Sequence, residues 1–522
     1  MARCRLTSSL IASIASLVTL PAVAAPFTCP RSGGTFTFAQ EANVNSLDEM
    51  TSGTISTHDV ALNFYEELMT RDERNRPILD LASALDESAD HLTYRFTLRP
   101  GVTFHNGKKM TSADVLASFE RYKRVGLLRS LFEVVAAWEA PDADHFTIRL
   151  KAASPTFIDQ LSSFNSPVVI APAEHKDDGP QQLRPVGTGP WRIEEFVPGS
   201  HTAFRRHDGY APNTQFDIRD GYGGYKQACL DKVVFRVVTE PGARVAGLKT
   251  GEFQGVEDVP TKSLPELKAD RTIVLIPLEN WWIQIAVPNL SNPPTDNLEF
   301  RRAVQAVLDM DEIMEAATDG NYRLNVGFQY PYQASYTDAG KETYNIKDPA
   351  RAKSHLAASG YKGEPVVLLT SKDYPAMYNA ALVMSEHMKS IGINAQLRVT
   401  DWPTSTQMAQ KPDTGWNFYY TGWGTPTAIG ALNVMQNLGS SYAMHMPRPN
   451  ELDQDMLAAF RDMANLPNAE GRQTAFARMQ KIALEKVYSV PFGSLTKVQA
   501  VRANVKGFAP ARIPRLSNIW LE

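Results

Sequence analysis

The sequence has no concentrated block of basic residues. It carries a formal net charge of only −4 over 522 residues, with 53 Lys and Arg against 57 Asp and Glu. Nucleic acid is therefore excluded as a partner, because phosphate recognition needs a basic patch. Beyond the first 24 residues no apolar stretch reaches membrane length, which excludes a spanning helix in the body of the chain. No G-x-S-x-G elbow, phosphate-binding loop, G-x-G-x-x-G or H-E-x-x-H spacing occurs. The ten histidines are scattered, and the lone His445 between Met444 and Met446 makes no metal site. These absences argue against an enzyme and against a bound metal or cofactor.

Cysteine is also scarce, at three residues. Cys4 lies in an N-terminal segment that reads as a cleavable leader. Arg3 and Arg5 give a short positive region, Leu10 to Leu20 is apolar, and Ala22-Val23-Ala24 supplies the small-x-small cleavage pattern. Residues 1–24 are thus expected to be a signal peptide. Cys29 lacks the preceding lipobox of a lipid anchor, so the rest is expected to be a soluble periplasmic protein. Cys29 and Cys229 remain as an even pair in an oxidising compartment, where a disulfide between them is expected.

What the chain does have is length and core. A hydrophobic content of 43% supports large packed cores, and 522 residues exceed what one core holds. Thr35-Phe36-Thr37-Phe38 alternates as a strand, and a helix is expected over His58 to Met69. Thr111 opens a helix, with Asp114 three residues on as an acidic capping-box partner.

The third quarter is the most informative. Val366 to Thr370, Ile393 to Val399 and Asn417 to Tyr420 read as strands. Helices from about Tyr378 to Ile391 and from Thr404 to Gln410 separate them. This β-α-β-α-β order implies parallel strands. Ligands of such sheets sit beyond the carboxyl ends of the strands. Here those ends carry Lys372, Trp402, Trp423 and Thr425, a mixture suited to an organic ligand.

At this point the chain resembles the family 5 solute-binding proteins, the peptide, opine and nickel receptors that serve ABC importers. The resemblance is carried by residues 94–108, YRFTLRPGVTFHNGK, followed by Thr111-Ser112-Ala113-Asp114-Val115. Pro185 to Trp191, Arg206 to Tyr210, and Phe300 to Val304 support it. It implies an α/β periplasmic binding protein type II fold: two lobes, a hinged cleft and an inserted extra domain. Carried over, domain I covers 25–58, 186–280 and 495–522, the inserted domain II 59–185, and domain III 281–494. The implied partners are a small-molecule or peptide ligand and the permease subunits of an inner-membrane ABC transporter. The protein itself is expected to be a monomer.

Dipeptide and oligopeptide receptors of this kind carry an acidic residue shortly after their last Gly-Trp, where it pairs with the peptide amine. The segment Gly422 to Ala428 has none. Lys372 and Tyr374 lie near where such relatives hold a ligand carboxylate. The expected solute is therefore peptide-like or carboxylate-bearing, with an aromatic or apolar body. Asn45 and Met50 face the cleft in the family picture. Trp281 and Trp282 are adjacent on a strand, so alternation allows only one toward the cleft, and Trp282 is the expected one. Asp401 is expected to cap the following helix, and Arg301 and Arg302 to make structural pairs. The competing reading is an exported, broad-specificity peptide chaperone or signalling receptor.

Overall fold

A computed structural model of the chain describes residues 25–164, 167–331, 333, 336–411, 413–424, 453–466 and 468–522. The segment 1–24 expected to be a leader, Thr425 and the Met444–Met446 segment lie outside these residues. The main sheet has eleven strands, of which ten run in a continuous order. In chain order they are β1 (Thr35–Gln40), β2 (Trp191–Val197), β3 (His201–Arg206), β4 (Lys232–Val237), β5 (Gly255–Val256), β6 (Ile273–Pro288), β7 (Tyr322–Arg323), β8 (Val366–Ser371), β9 (Ala395–Thr400), β10 (Phe418–Trp423) and β11 (Val490–Arg502). Across the sheet the order is β9-β8-β10-β6-β11-β5-β1-β4-β3-β2, with β7 against β11.

Two strands hold the halves together. β6 and β11 are antiparallel and unusually long, at 16 and 13 residues. Ile273–Leu278 pairs with Arg502–Lys497, beside β5 and β1. Farther on, Trp282–Ala286 pairs with Leu495–Val490, beside β10. Between Leu278 and Trp282 the register shifts, and Asn280 takes a left-handed φ of 52°. A shift of this kind locally breaks the alternation of side chains between the two faces.

The second half is built as the order of elements requires. β8 pairs in parallel with both β9 and β10. The first connecting helix spans Pro375–Ser390, three residues earlier than expected, and Gly392 beyond it takes φ 97°. The second spans Trp402–Ala409 and is capped by Asp401, whose Oδ1 accepts from the Thr404 N–H at 3.0 Å. Trp402 therefore stands at the first position of a helix rather than in a loop.

The first half differs from expectation at one helix, named α1, which spans only Ile55–Ala61; residues 69–71 are a short strand. The reason is tertiary. The Phe64 carbonyl accepts from the Gly189 N–H at 3.0 Å, and a Cβ on Gly187 would lie 2.1 Å from that same oxygen. The turn at 187–189 thus takes over backbone that a longer helix would use internally. A separate four-stranded sheet (Ala82–Glu87, Thr93–Leu98, His145–Leu150, Val135–Asp142) packs against the helix Ser112–Val125. Asp114 accepts from the Thr111 N–H at 2.9 Å. Cys29 and Cys229 form a disulfide with their Cα atoms 5.4 Å apart, tying the N-terminal segment to the entry of β4.

Candidate functional site

The register shift in β6 creates a cavity at the crossing between the two halves. Trp281 and Trp282 are both buried, with ring centroids 5.9 Å apart. Both line a cavity of about 350 Å³ together with Glu41, Asp258, Tyr374 and Lys497. Trp281 also lines a second cavity of about 360 Å³, with Phe164, Tyr222, Tyr330 and Arg512. The expectation that only Trp282 faces inward is corrected here. Alternation fails for adjacent residues because the strand is irregular at that point.

Buried charges converge on the first cavity. Glu41 and Glu257 each directly follow a strand, β1 and β5, which run parallel. They stand beyond the carboxyl ends of those strands, the position that ligands favour on open sheets. Lys497, opposite them on β11, donates to Glu41 Oε1 at 2.5 Å and to Glu257 Oε1 at 2.8 Å. The Glu41 N–H donates to Glu257 Oε2 at 2.8 Å. The Lys497 ammonium lies 4.8 Å from the Trp281 ring centroid, 5.9 Å from that of Trp282 and 6.0 Å from that of Tyr374. Burial pushes the Glu41 carboxyl up to about 8 against the pull of Lys497. Burial also opposes the Lys497 charge, but Glu257 and Glu41 outweigh it and hold the ammonium above its usual range.

Asp59 completes this group from α1. It is 1% exposed, and neither of its oxygens has a hydrogen-bond partner. Burial, followed by the nearby Glu257, raises its pKa well above the carboxylate range, with Lys497 and Arg512 opposing. Trp281 Nε1, the Tyr374 hydroxyl, Trp402 Nε1 and Arg512 Nε are also buried without partners.

The expected site residues divide between cavity and elsewhere. Tyr374 lines the cavity edge-on to Trp282 at 5.6 Å and to Trp402 at 5.1 Å, so these three form one aromatic cluster. Trp402 stands behind Tyr374 and stacks on Tyr419 at 6.0 Å. Trp423 turns to the opposite face of β10. A Cβ on Gly422 would lie 2.4 Å from the Trp282 indole, and the next residue in a strand points the other way. Trp423 accordingly packs with Phe328, Met456 and Met479.

Lys372 is exposed, its ammonium 4.9 Å from the Tyr378 ring centroid, and it lines neither cavity among the described residues. Met50 is buried in the first-half core, its sulfur 3.2 Å from Arg121 Nη1. Asn45 lines a smaller groove with Thr406 and Gln407, close to where Gln407 donates to Gln181 Oε1 at 3.3 Å. Arg301 is buried on backbone carbonyls, and Arg302 pairs with Glu299 at 2.8 Å.

Sequence reasoning missed Trp281 as a wall, along with Glu41, Asp59, Glu257, Lys497 and Arg512. Glu41 carried a usable signal, since it directly follows the alternating strand that begins at Thr35. The other charged residues gave none, because topology alone brings them together.

Two halves joined by two crossing strands, with a polar and aromatic cavity at the crossing, define a hinged ligand-binding protein. Residues 76–445 match the family of bacterial extracellular solute-binding proteins, family 5 Middle. The chain belongs to that family. It is 27% identical over 491 residues to a probable peptide ABC transporter periplasmic-binding protein of Sinorhizobium fredii, covering 90% of each chain. It is also 27% identical to a glutathione-binding protein of Pectobacterium atrosepticum, covering 79% of this chain and 77% of that one. Among solved structures, a dipeptide-binding protein of Pseudoalteromonas bound to Met-Leu superposes with a TM-score of 0.83 at 20% identity, covering 94% of this chain and 100% of that one. The agropinic acid complex of a periplasmic binding protein from Agrobacterium tumefaciens gives 0.80 at 23% identity, covering 94% and 99%. The chain is thus a periplasmic solute-binding component of an ABC importer, not an enzyme. Its ligand is delivered to membrane permease subunits.

Proposed function

We propose that this chain captures a small organic solute, peptide-like or carboxylate-bearing, in the cavity between its two halves. The observation that carries the reading is the cluster of unpartnered buried polar groups around one aromatic wall. Trp281 Nε1, the Tyr374 hydroxyl and Arg512 Nε are donors at the cavity linings, and Asp59 is an acceptor beside them. A buried polar group left without a partner costs about 1–3 kcal/mol. A solute that supplies the partners removes that cost, so its binding favours the closed arrangement. Trp281, Trp282 and Tyr374 provide the flat apolar walls, with Trp402 supporting Tyr374. The similarity to peptide-binding and glutathione-binding relatives supports a solute with amide and carboxylate groups.

The proposed hinge lies at the register shift between Leu278 and Trp282 and the facing Leu495–Lys497 of β11. This supports a first lobe of 25–58, 186–280 and 495–522, an inserted domain of 59–185, and a second lobe of 281–494. The leader at 1–24 would be removed on export.

A thermal-shift panel tests the reading. The protein is unfolded, freed of bound ligand and refolded, then screened against di- and tripeptides, opines, aromatic and aliphatic acids, sugars and nickel. A solute at about 100 times its Kd adds roughly 2.7 kcal/mol of stability. The expected result is a selective shift with an acid or peptide. Equal small shifts with many unrelated peptides support the chaperone reading instead, and no shift with any acid or peptide overturns the proposal.

A further inference from the structure

We infer that Asp59 is the acceptor for a protonated amine on the solute. The inference rests on the reading of the cleft above and adds to it the chemical class of one end of the ligand.

Position comes first. Asp59 lies one helical turn beyond Ile55, and residues four apart share a helix face. Ile55 packs against the cluster that contains Trp281, Trp282, Tyr374 and Trp402, so Asp59 shares the α1 face that meets that cluster. Its charged neighbours come from both cavities. Glu41 and Lys497 line one, and Arg512 lines the other. Asp59 is therefore within electrostatic reach of charged groups on both cavities.

Local chemistry comes second. The other buried carboxylates of this group are already bonded. Glu257 accepts from Lys497 on one oxygen and from the Glu41 N–H on the other. Glu41 accepts from Lys497, with Arg244 Nη2 at 3.5 Å from its second oxygen. Lys497 is thus engaged by two carboxylates, and Arg512 Nη1 donates to the Trp281 carbonyl at 3.2 Å. Glu41 and Glu257 share Lys497, and of the three carboxylates Asp59 alone accepts no hydrogen bond. A carboxylate sealed from water without a donor is costly. An ammonium brings three N–H donors and a positive charge, and the aromatic walls of the cavities suit a cation as well.

The test uses a matched pair of probes, alanyl-phenylalanine and N-acetyl-alanyl-phenylalanine, titrated calorimetrically into the refolded full mature chain and its Asp59→Asn variant. The wild type is expected to bind the free amine about ten-fold or more tightly than the acetylated form. Asp59→Asn is expected to lose that preference by weakening only the free amine. Its melting temperature should equal or exceed that of the wild type, because the substitution removes an unpartnered buried carboxylate. Equal binding of both probes by the wild type, or an unchanged preference in Asp59→Asn, overturns the assignment while leaving the cleft reading standing. A melting temperature several degrees below wild type assigns Asp59 a structural role and overturns it too. If neither probe binds the wild type, the Asp59 assignment is overturned, while the cleft reading is decided by the thermal-shift panel.

Discussion

Glu66 and Asp59 lie seven residues apart and are equally shut off from water, at 2% and 1% exposure, yet their surroundings are opposite. Both Glu66 oxygens are occupied. Lys226 is 2.6 Å from one, to which the Tyr210 hydroxyl also donates at 2.8 Å, and Thr188 donates to the other at 2.9 Å. Lys226 also reaches Asp80 at 3.1 Å. Burial works against the Glu66 charge, but Lys226 and Arg99 overcome it and bring its pKa down to about 2. At Asp59 burial and the neighbouring Glu257 outweigh the pull of Lys497 and Arg512, and the pKa rises well above the usual range. A finished network of bonds belongs to the scaffold. An unfinished one, placed beside a cavity, is where a binding protein keeps capacity for its ligand.

The largest expected effect lies in the finished network. Lys226→Met leaves two buried carboxylates without their shared cation, and urea unfolding should show a loss of about 3–5 kcal/mol. Solute affinity should be unchanged if the two clusters act separately. An equal loss of affinity would break the contrast.

The next effect is pH dependence, with opposite signs at the two sites. Glu66 has a depressed pKa. Its contribution is present above the ordinary carboxylate pKa of about 4.5 and is lost as pH falls toward 2, about 3 kcal/mol in all. Asp59 has a raised pKa, so its contribution is present at low pH and lost as pH rises above the ordinary carboxylate range. Melting curves from pH 2 to 5 should show a flatter acid limb in Glu66→Gln than in the wild type. An identical limb removes Glu66 from the account.

A smaller effect is expected at the wall. Tyr374→Phe removes a hydroxyl that has no partner in the folded chain. Stability should stay within about 0.5 kcal/mol, while affinity for the solute found by the thermal-shift panel falls by about 0.5–1.5 kcal/mol. Loss of stability without loss of affinity would move Tyr374 from the cleft to the scaffold. The smallest effect is expected at Lys372, which is exposed over Tyr378. Calorimetry on Lys372→Ala should find affinity for acidic solutes within about 0.5 kcal/mol of wild type. A selective loss for acids would bring Lys372 back to the ligand.

Much of the second half was legible because its signals are local. Hydrophobic periods, Gly392 and the Asp401 cap mark a β-α-β-α-β run, and parallel pairing follows from the connections. The helix expected over 58–69 ends at Ala61 because Gly189, far along the chain, uses the Phe64 carbonyl. Trp423 is expected just past a strand ending at Tyr420, but that strand runs on through Trp423, and the face it takes follows from Gly422 lying against Trp282.

The sequence by itself determined the class of protein. The 94–108 motif and strand–helix alternation are written in residues close together, where chain connectivity does the reading. Only the tertiary structure decided the site. Asp59, Glu257, Trp281 and Lys497 are far apart in the chain and meet because β6 and β11 cross between the halves beside β5 and α1. No local pattern records such a meeting. It is set by sheet order and register, and one irregular step at Leu278–Trp282 is enough to turn two neighbouring indoles into the same cavity.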